Sequence, residues 1–421
     1  MTQYQSKLMQ TLTERGFLYQ CTDEDGLDKA ASEGVVTGYI GFDCTAPSLH
    51  VGSLVQIMML RHLQRAGGRP IVLLGGGTTK IGDPSDKDKS RPILTNELIE
   101  KNKNGIKQVF SKFVDFEGSN AAILADNADW LDGLGYIEFL RDVGKLFTVN
   151  RMIAMETVKR RLDNEQPMTF LEFNYPLLQS YDFVELYRRH GCTLQLGGSD
   201  QWGNITSGID LSRRMAEADC FGFTTPLITT ASGGKMGKTA DGAVWLNSDP
   251  ELGQDYFRTP YEYWQFWRNT DDADVGRFLK LFTDLPLGEI AKLEALEGAD
   301  INTAKIRLAN EATTMLHGAE AAAKAEATAR ETFEKGGTAV GLPTVEVSGS
   351  DLIGMGILAA AVTAGLAASN GEGRRHIKAG ALKLNDGKVT SHEQSVSEGD
   401  ILDGVVKISV GKKKHALLKA V

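Results

Sequence analysis

An α/β protein whose first half carries a doubly wound parallel sheet is predicted by three observations. Short apolar runs ending in glycine alternate with segments of helical period, as successive βαβ units require. Glycines and polar residues cluster just after those runs, at the carboxyl ends of the predicted strands, where such sheets bind ligands. The chain is 421 residues long, and at roughly 100 to 200 residues per domain it has room for that domain and smaller ones.

The elements follow in order. Residues 35–42 and 70–75 (Pro-Ile-Val-Leu-Leu-Gly) read as strands joined by a helix over 51–66. Further strand-like runs at 121–125, 193–198 and 226–230, with helices at 97–113 and 174–189, extend the alternation. Residues 1–230 are therefore expected to form a Rossmann-like domain with its crevice at Gly41, Asp43 and 75–83. Strand signals fade from 250, and Ala, Glu, Lys and Leu at helical spacing predict a helical domain over 231–335. A Gly-rich stretch with a proline, 336–342, reads as a linker to a third module at 343–421. The uncharged segment 352–371 is built largely of small residues, too weakly apolar for a membrane span, and predicts a buried helix.

Composition excludes several classes. At 42% hydrophobic and 24% charged residues the chain matches globular averages, which argues against disorder and fibrous structure. With 46 Lys and Arg against 55 Asp and Glu the net charge is −9, so non-specific nucleic-acid coating and recruitment to anionic membranes are not expected. Positive charge concentrates at 371–421, where ten Lys or Arg face six acidic residues. Residues 1–15 lack a basic start followed by an apolar core, which predicts a cytoplasmic protein. Cys21, Cys44, Cys192 and Cys220 form no C-x-x-C pair and the seven histidines no H-x-x-x-H, so neither a disulfide framework nor a bound structural metal is expected.

Four constellations bear on chemistry. His50-Val51-Gly52-Ser53 stands at a predicted helix start, where backbone amides and the helix dipole favour phosphate, though a histidine there can equally be a cap. Gly233-Gly234-Lys235-Met236-Gly237-Lys238-Thr239 puts two ammonium groups three residues apart in a glycine-rich loop, suited to a polyphosphate or to plain solvation. It lacks the P-loop spacing. Tyr175, Gln179 and Asp182, at i, i+4 and i+7 behind Pro176, share one face of an otherwise apolar helix, either solvated or lining a polar pocket. Gly197-Gly198-Ser199-Asp200-Gln201-Trp202-Gly203-Asn204 and Ile81-Gly82-Asp83-Pro84 put carboxylates at the same sheet edge, as ligand contacts or as caps.

Together and in this order, these segments resemble the bacterial tyrosyl-tRNA synthetases, a family of class I aminoacyl-tRNA synthetases. The family's first signature, HIGH, is matched by His50-Val51-Gly52-Ser53 and its second, KMSKS or KFGKT, by Lys235-Met236-Gly237-Lys238-Thr239. Tyr39-x-Gly41-Phe42-Asp43 and Tyr175-x-x-x-Gln179-x-x-Asp182 match as well, and Arg374-Arg375-His376-Ile377-Lys378 with Leu384-Asn385-Asp386-Gly387 look like an S4-type RNA-binding domain, an α+β fold.

The resemblance implies tyrosine activation by ATP with Mg²⁺, then transfer to tRNA(Tyr), by a homodimer whose interface is expected around 142–161. It implies that Tyr39 and Asp182 read the phenol, that Asp83, Tyr175 and Gln179 hold the α-ammonium and that Gln201 lies near the carboxylate. Thr45, His50, Lys235 and Lys238 would serve phosphoryl transfer, with Lys87 and Arg91 from a mobile loop. Gly41, Asp43, Gly52, Ser53, Gly198 and Asp200 would surround the nucleotide, and Arg374, Arg375 and Lys378 the tRNA. Three positions depart from the pattern: Ser53 replaces the second histidine, Cys44 a proline, and Ile40 a small or polar residue. Three other readings compete. A tryptophanyl-tRNA synthetase would share the fold but not the phenol-reading pair. An RNA-binding or splicing protein on the same scaffold would not need intact His50, Lys235 and Lys238, and a different nucleotidyltransferase would leave the helical domain and the tail without a purpose.

Overall fold

The computed structural model describes residues 4–84, 94–231, 236, 238–239, 242–252, 256–334, 342–402, 404–411 and 414–421. The chain forms two compact units, one of Met1–Arg258 with Thr270–Ala304, the other of Thr259–Asn269 with Lys305–Val421.

The first unit is built on a six-stranded sheet of β1 (Gln20–Cys21), β2 (Thr37–Phe42), β3 (Arg69–Leu74), β4 (Ile123–Asp126), β5 (Leu194–Gly198) and β6 (Phe221–Thr225). Their order is β1-β6-β5-β2-β3-β4, all parallel except β1 against β6. Strands β3 and β5 are buried almost throughout, the pattern of a sheet covered on both faces. From β2 the chain runs outward to β3 and β4, then returns to the other side of β2 as β5 and β6. The crevice of this reversal lies beyond the carboxyl ends of β2 and β5, at Phe42 and Gly198. A two-stranded ladder of β7 (Lys238–Thr239) and β8 (Gly242–Ala243) follows in the sequence.

Helix α1 (Lys7–Glu14) precedes the sheet, α2 (Leu54–Arg65) joins β2 to β3, and α3 (Asn96–Phe110) precedes β4. Between β4 and β5 lies α4 (Tyr175–His190), with Pro176 in its first turn and Gly191 closing it at φ 63°. Helix α5 (Trp202–Ala216) links β5 to β6 and packs along α4. The strand expected at 226–230 is instead Phe221–Thr225. Pro226 has no amide to donate, so the ladder stops before it.

The helix-rich stretch after 250 is divided between the units. Helix α7 (Val275–Phe282) belongs with the sheet, while α6 (Pro260–Arg268), most of α8 (Ile301–His317) and α9 (Ala319–Glu334) belong to the second unit. Trp264 of α6 donates to Asn310 of α8, which donates to Glu326 of α9, both at 2.7 Å.

The tail of the second unit forms a five-stranded sheet of β9 (Thr344–Val347), β10 (Leu382–Leu384), β11 (Gly387–Lys388), β12 (Val405–Val410) and β13 (Lys414–Ala420), ordered β11-β10-β12-β13-β9. Asn385 and Asp386 turn the β10–β11 hairpin with φ 45° and 66°, the left-handed pair that a two-residue turn demands. A one-turn helix at Gly349–Leu352 and two longer ones, α10 (Ile357–Thr363) and α11 (Asn370–Lys378), accompany the sheet. The single buried helix expected over 352–371 is thus shortened to α10, because Gly365 at φ 69° ends it. Among the described residues no helix is long and apolar enough to cross a membrane.

Candidate active site

The two signature segments meet. His50 Nδ1 accepts the Gly52 amide at 2.9 Å, so the imidazole closes the first turn before α2. The capping and ligand readings of His50 therefore coexist, because an accepting Nδ1 puts the proton of the neutral ring on Nε2, as a donor. Val51 N donates to Val244 O and Leu246 N to Leu49 O, both at 2.9 Å, which laces the first signature to the segment that follows the second. A Cβ on Gly52 would stand 2.6 Å from His50 Cε1 and 2.9 Å from Met236 O, so only glycine admits both. Met236 N in turn donates to Ile228 O at 3.1 Å. Lys238 lies in β7, paired with Ala243 of β8. Lys87, Arg91 and Lys235 lie outside the described residues. Gly41, Thr45 and Asp200 are exposed around the crevice, and Gly52 and Ser53 are half-buried.

Deeper in the crevice, Asp182 is 2% exposed. Its Oδ1 accepts Trp130 Nε1 at 2.8 Å and its Oδ2 accepts Asn127 Nδ2 at 3.0 Å. Burial, with Asp43 and Asp126 adding repulsion against those two donors, pushes its carboxyl up to about 7. Tyr39 projects from β2 onto the same cluster and meets Phe183 edge to face at 5.2 Å. Its hydroxyl is buried with no hydrogen-bond partner among the described residues, and burial beside the Asp182 charge holds it well above the ordinary phenol range. An orphaned buried hydroxyl next to a buried carboxylate is costly in the absence of a ligand.

A hydrogen-bond chain runs outward from Asp182. Asn127 Nδ2 also donates to Thr78 Oγ1 at 3.0 Å, and Thr78 Oγ1 donates to Asp43 Oδ1 at 3.1 Å. Asp43 takes the Tyr175 hydroxyl and the Asp83 amide, both at 3.4 Å. Asp83 Oδ2 accepts Gln201 Nε2 at 3.2 Å, and Gln201 Oε1 accepts Gln179 Nε2 at 3.2 Å. Asn204 Nδ2 ties both glutamines, at 3.0 and 3.1 Å. Asp83, Tyr175, Gln179, Asp182 and Gln201 thus share one network with Asp43, while Tyr39, without a hydrogen bond to any of the described residues, lies in the field of Asp182. Burial and the fields of Asp43, Asp83 and Asp182 raise the Tyr175 phenol well above its ordinary range. Carboxylates gathered in a concave site favour a cationic ligand group.

Asn127, Trp130 and Thr78 were not singled out from the sequence, and Asn204 entered only as the last residue of the 197–204 segment, with no role of its own. The signal was Gly75-Gly76-Gly77: Gly76 N donates to Asp126 Oδ1 at 3.1 Å and Gly77 N to Asn127 Oδ1 at 2.8 Å. A Cβ on Gly76 would stand 2.3 Å from that carboxylate. The glycines admit side chains from the end of β4. Cys44 is buried, with its amide on Thr79 Oγ1 at 2.7 Å and its carbonyl on Asn102 Nδ2 at 2.8 Å. Burial raises its thiol to about 12, which keeps it protonated. Ile40 is buried and, by strand alternation, on the face opposite Tyr39. Among the described residues no group of His, Cys, Asp and Glu is arranged to hold a metal ion. In the second unit, Arg374, Arg375 and Lys378 are exposed on α11.

Comparison with known proteins bears on the same segments. Residues 31–334 match the family model of class I tRNA synthetases (W and Y), and residues 321–418 match that of the tyrosine–tRNA ligase SYY-like C-terminal domain. The chain is 57% identical to a tyrosine–tRNA ligase of Methylocella silvestris over 99% of its own length and 98% of the relative's. It is 58% identical to that of Rhodopseudomonas palustris over 100% of both. Among solved structures, a C-terminally truncated mitochondrial tyrosyl-tRNA synthetase of Aspergillus nidulans superposes with a TM-score of 0.68 at 30% identity, covering 78% of this chain and 94% of that one. With a family model over residues 31–334 and relatives of this identity along its whole length, the chain belongs to the tyrosine–tRNA ligases, a family of class I aminoacyl-tRNA synthetases.

Proposed function

We propose that the chain activates L-tyrosine with ATP and transfers it to the terminal ribose of tRNA(Tyr). The observation that carries this reading is the buried Tyr39 hydroxyl, which has no partner among the described residues, beside the Asp182 carboxylate. A substrate phenol donates to Asp182, beside its bonds from Trp130 and Asn127, and accepts from Tyr39, whereas a phenyl ring leaves the Tyr39 hydroxyl unsatisfied at a cost of about 1 to 3 kcal/mol. Asp83, Tyr175 and Gln179 hold the α-ammonium, and Gln201 the carboxylate.

In the first step a tyrosine carboxylate oxygen attacks the α-phosphorus, the bond to the β-phosphate oxygen breaks, and pyrophosphate leaves. The carboxylate is already ionised at neutral pH, so no strong base is needed; positioning and charge stabilisation are the protein's contributions. Thr45, His50 through Nε2, Lys235 and Lys238 serve the phosphates, with Lys87 and Arg91. Gly41, Asp43, Gly52, Ser53, Gly198 and Asp200 surround adenosine. Mg²⁺ enters with ATP as part of the substrate. In the second step the tRNA ribose hydroxyl attacks the acyl carbon and AMP leaves.

Residues 343–421 bind tRNA through Arg374, Arg375 and Lys378, while 1–230 carry activation, 231–335 supply the second signature and the helices, and 336–342 link them to the tail. The active form is a cytoplasmic homodimer. Exposed Val149 and Ile153, within 142–161, support a second copy as their cover. The test is ATP–pyrophosphate exchange with each of the twenty amino acids, without tRNA. A signal with tyrosine alone is expected; silence from folded protein with Mg²⁺ would leave an RNA-binding scaffold without chemistry.

A further inference from the structure

Asp274 sits at the N-terminal end of α7, 4% exposed, and its two oxygens are both engaged. Oδ2 accepts the backbone amide of Ala231 at 2.7 Å, and Oδ1 takes the guanidinium of Arg277 one turn on. Arg277 also donates to Thr229 O. One carboxylate and its arginine therefore grip the backbone on both sides of Thr230, in the stem that leads into the second signature. Past residues 232–235 in the sequence, Met236 is fixed again by Ile228 O and by its packing on Gly52.

The other end of α7 is held as firmly. Arg15, just past α1, donates to the carbonyls of Lys280 and Thr283 at 2.9 Å and of Leu285 at 2.6 Å, taking up carbonyls that a helix end leaves without partners. Asp284 accepts Arg61 of α2 at 3.1 Å through Nε and also pairs with Arg65. Helix α2 is the one that begins behind His50-Val51-Gly52-Ser53. A continuous path of packed and charge-assisted contacts thus runs from the first signature's helix through α7 to the second signature's stem.

We infer that Asp274, braced by Arg277, is a positioning residue for adenylate formation, fixing the stem from which the second-signature lysines reach the triphosphate. This rests on the proposed activation chemistry. It adds a residue outside both signatures and outside the crevice, acting through the backbone at 229–231. Small displacements of a charge-stabilising group lower the rate of a step that depends on preorganisation, with little effect on the binding of a ligand held elsewhere.

The test uses the full chain and five variants: Asp274→Ala, Asp274→Asn, Arg277→Met, the Asp274→Ala, Arg277→Met double variant and Lys238→Ala. Tyrosine-dependent pyrophosphate exchange gives kcat and the KM for ATP, equilibrium fluorescence gives the tyrosine Kd, and thermal unfolding reports folding. Asp274→Ala is expected to lower kcat at least tenfold with the tyrosine Kd within twofold of the parent. Asp274→Asn, which keeps an oxygen for Ala231 but loses the ion pair, is expected to be intermediate and to match Arg277→Met. The Asp274→Ala, Arg277→Met double variant should lose no more than Asp274→Ala alone, as expected for one coupled unit. If Asp274→Ala does not fold, Asp274→Asn and Arg277→Met carry the test on the same criteria. Folded variants with kcat and ATP KM within twofold of the parent, or with tyrosine affinity lost in proportion to kcat, overturn the inference. Lys238→Ala separates the two claims. If it leaves exchange unchanged, the assignment of the second signature is at fault rather than the role of Asp274.

Discussion

Trp130 Nε1 donates to Asp182 Oδ1 at 2.8 Å, and this bond fixes the carboxylate whose charge acts on the Tyr39 hydroxyl. The indole is itself held, with the Arg189 guanidinium 5.2 Å from its ring centroid. Trp130→Phe keeps an aromatic ring and removes the donor. A hydrogen bond to a charged group contributes about 1.5 to 3 kcal/mol, so tyrosine affinity should fall about tenfold or more while the KM for ATP stays within twofold. Titration calorimetry with tyrosine checks this; equal losses for both substrates would mean that Trp130 supports the fold rather than the phenol site.

Asp182 also sets a pH dependence whose sign is fixed by its environment. Its carboxyl is raised from the ordinary aspartate range to about 7, chiefly by burial. A raised folded-state value means that the folded protein binds the proton more tightly than the unfolded chain does. The resulting stabilisation is complete below about 4 and is lost as pH rises through about 7, at most about 4 kcal/mol over that window. Relative to Asp182→Asn, the parent should therefore lose stability between about pH 4 and 8 in urea unfolding. On the proposed reading tyrosine binding runs the other way, since the ionised form is the one to accept the phenol, and affinity should drop as pH falls below about 7. Unfolding midpoints of parent and variant that track each other across this range would show that Asp182 keeps an ordinary titration.

Ser53 stands where the family pattern has a second histidine. It precedes α2 with φ −86° and ψ −9°, and its side chain makes no capping hydrogen bond. If the hydroxyl has taken over a nucleotide contact, its loss costs about 1 kcal/mol. Ser53→Ala should then raise the KM for ATP about fivefold and leave that for tyrosine unchanged. Unchanged ATP affinity and turnover would show that no such contact exists.

The parallel sheet and the shared helix face of Tyr175, Gln179 and Asp182 were legible because each rests on a local signal. Apolar runs with glycine ends mark β2, β3 and β5, and the spacing of Tyr175, Gln179 and Asp182 puts all three on one helix face. The chain of hydrogen bonds among them was not legible. It depends on Asn127 and Thr78, which meet only when β3 and β4 lie side by side, and nothing in either local sequence reports the other. The strand expected at 226–230 failed for a local reason, Pro226, that apolar periodicity outweighed. The membership of α7 in the sheet unit was hidden because it is decided by Arg15 and Arg61 reaching 280–285, contacts between segments more than 200 positions apart.

The basic residues of the tail make the last prediction. Helix α11 is capped by Ser369, whose Oγ accepts Glu372 N at 3.3 Å. Arg374, Arg375 and Lys378, at i, i+1 and i+4, then share one exposed side of the helix, in a chain whose net charge is −9. An acidic protein binds RNA only where positive charge is local, and each phosphate contact releases counterions, steepening the salt dependence by about 0.7 to 0.9 in log–log slope. Replacing all three by alanine should therefore reduce the salt slope of tRNA binding by about 2 to 3 and raise the KM for tRNA at least tenfold. Tyrosine-dependent pyrophosphate exchange should stay within twofold of the parent, because none of the three lies in the unit that holds the crevice. A triple variant that binds tRNA with an unaltered salt slope would place the RNA on another surface.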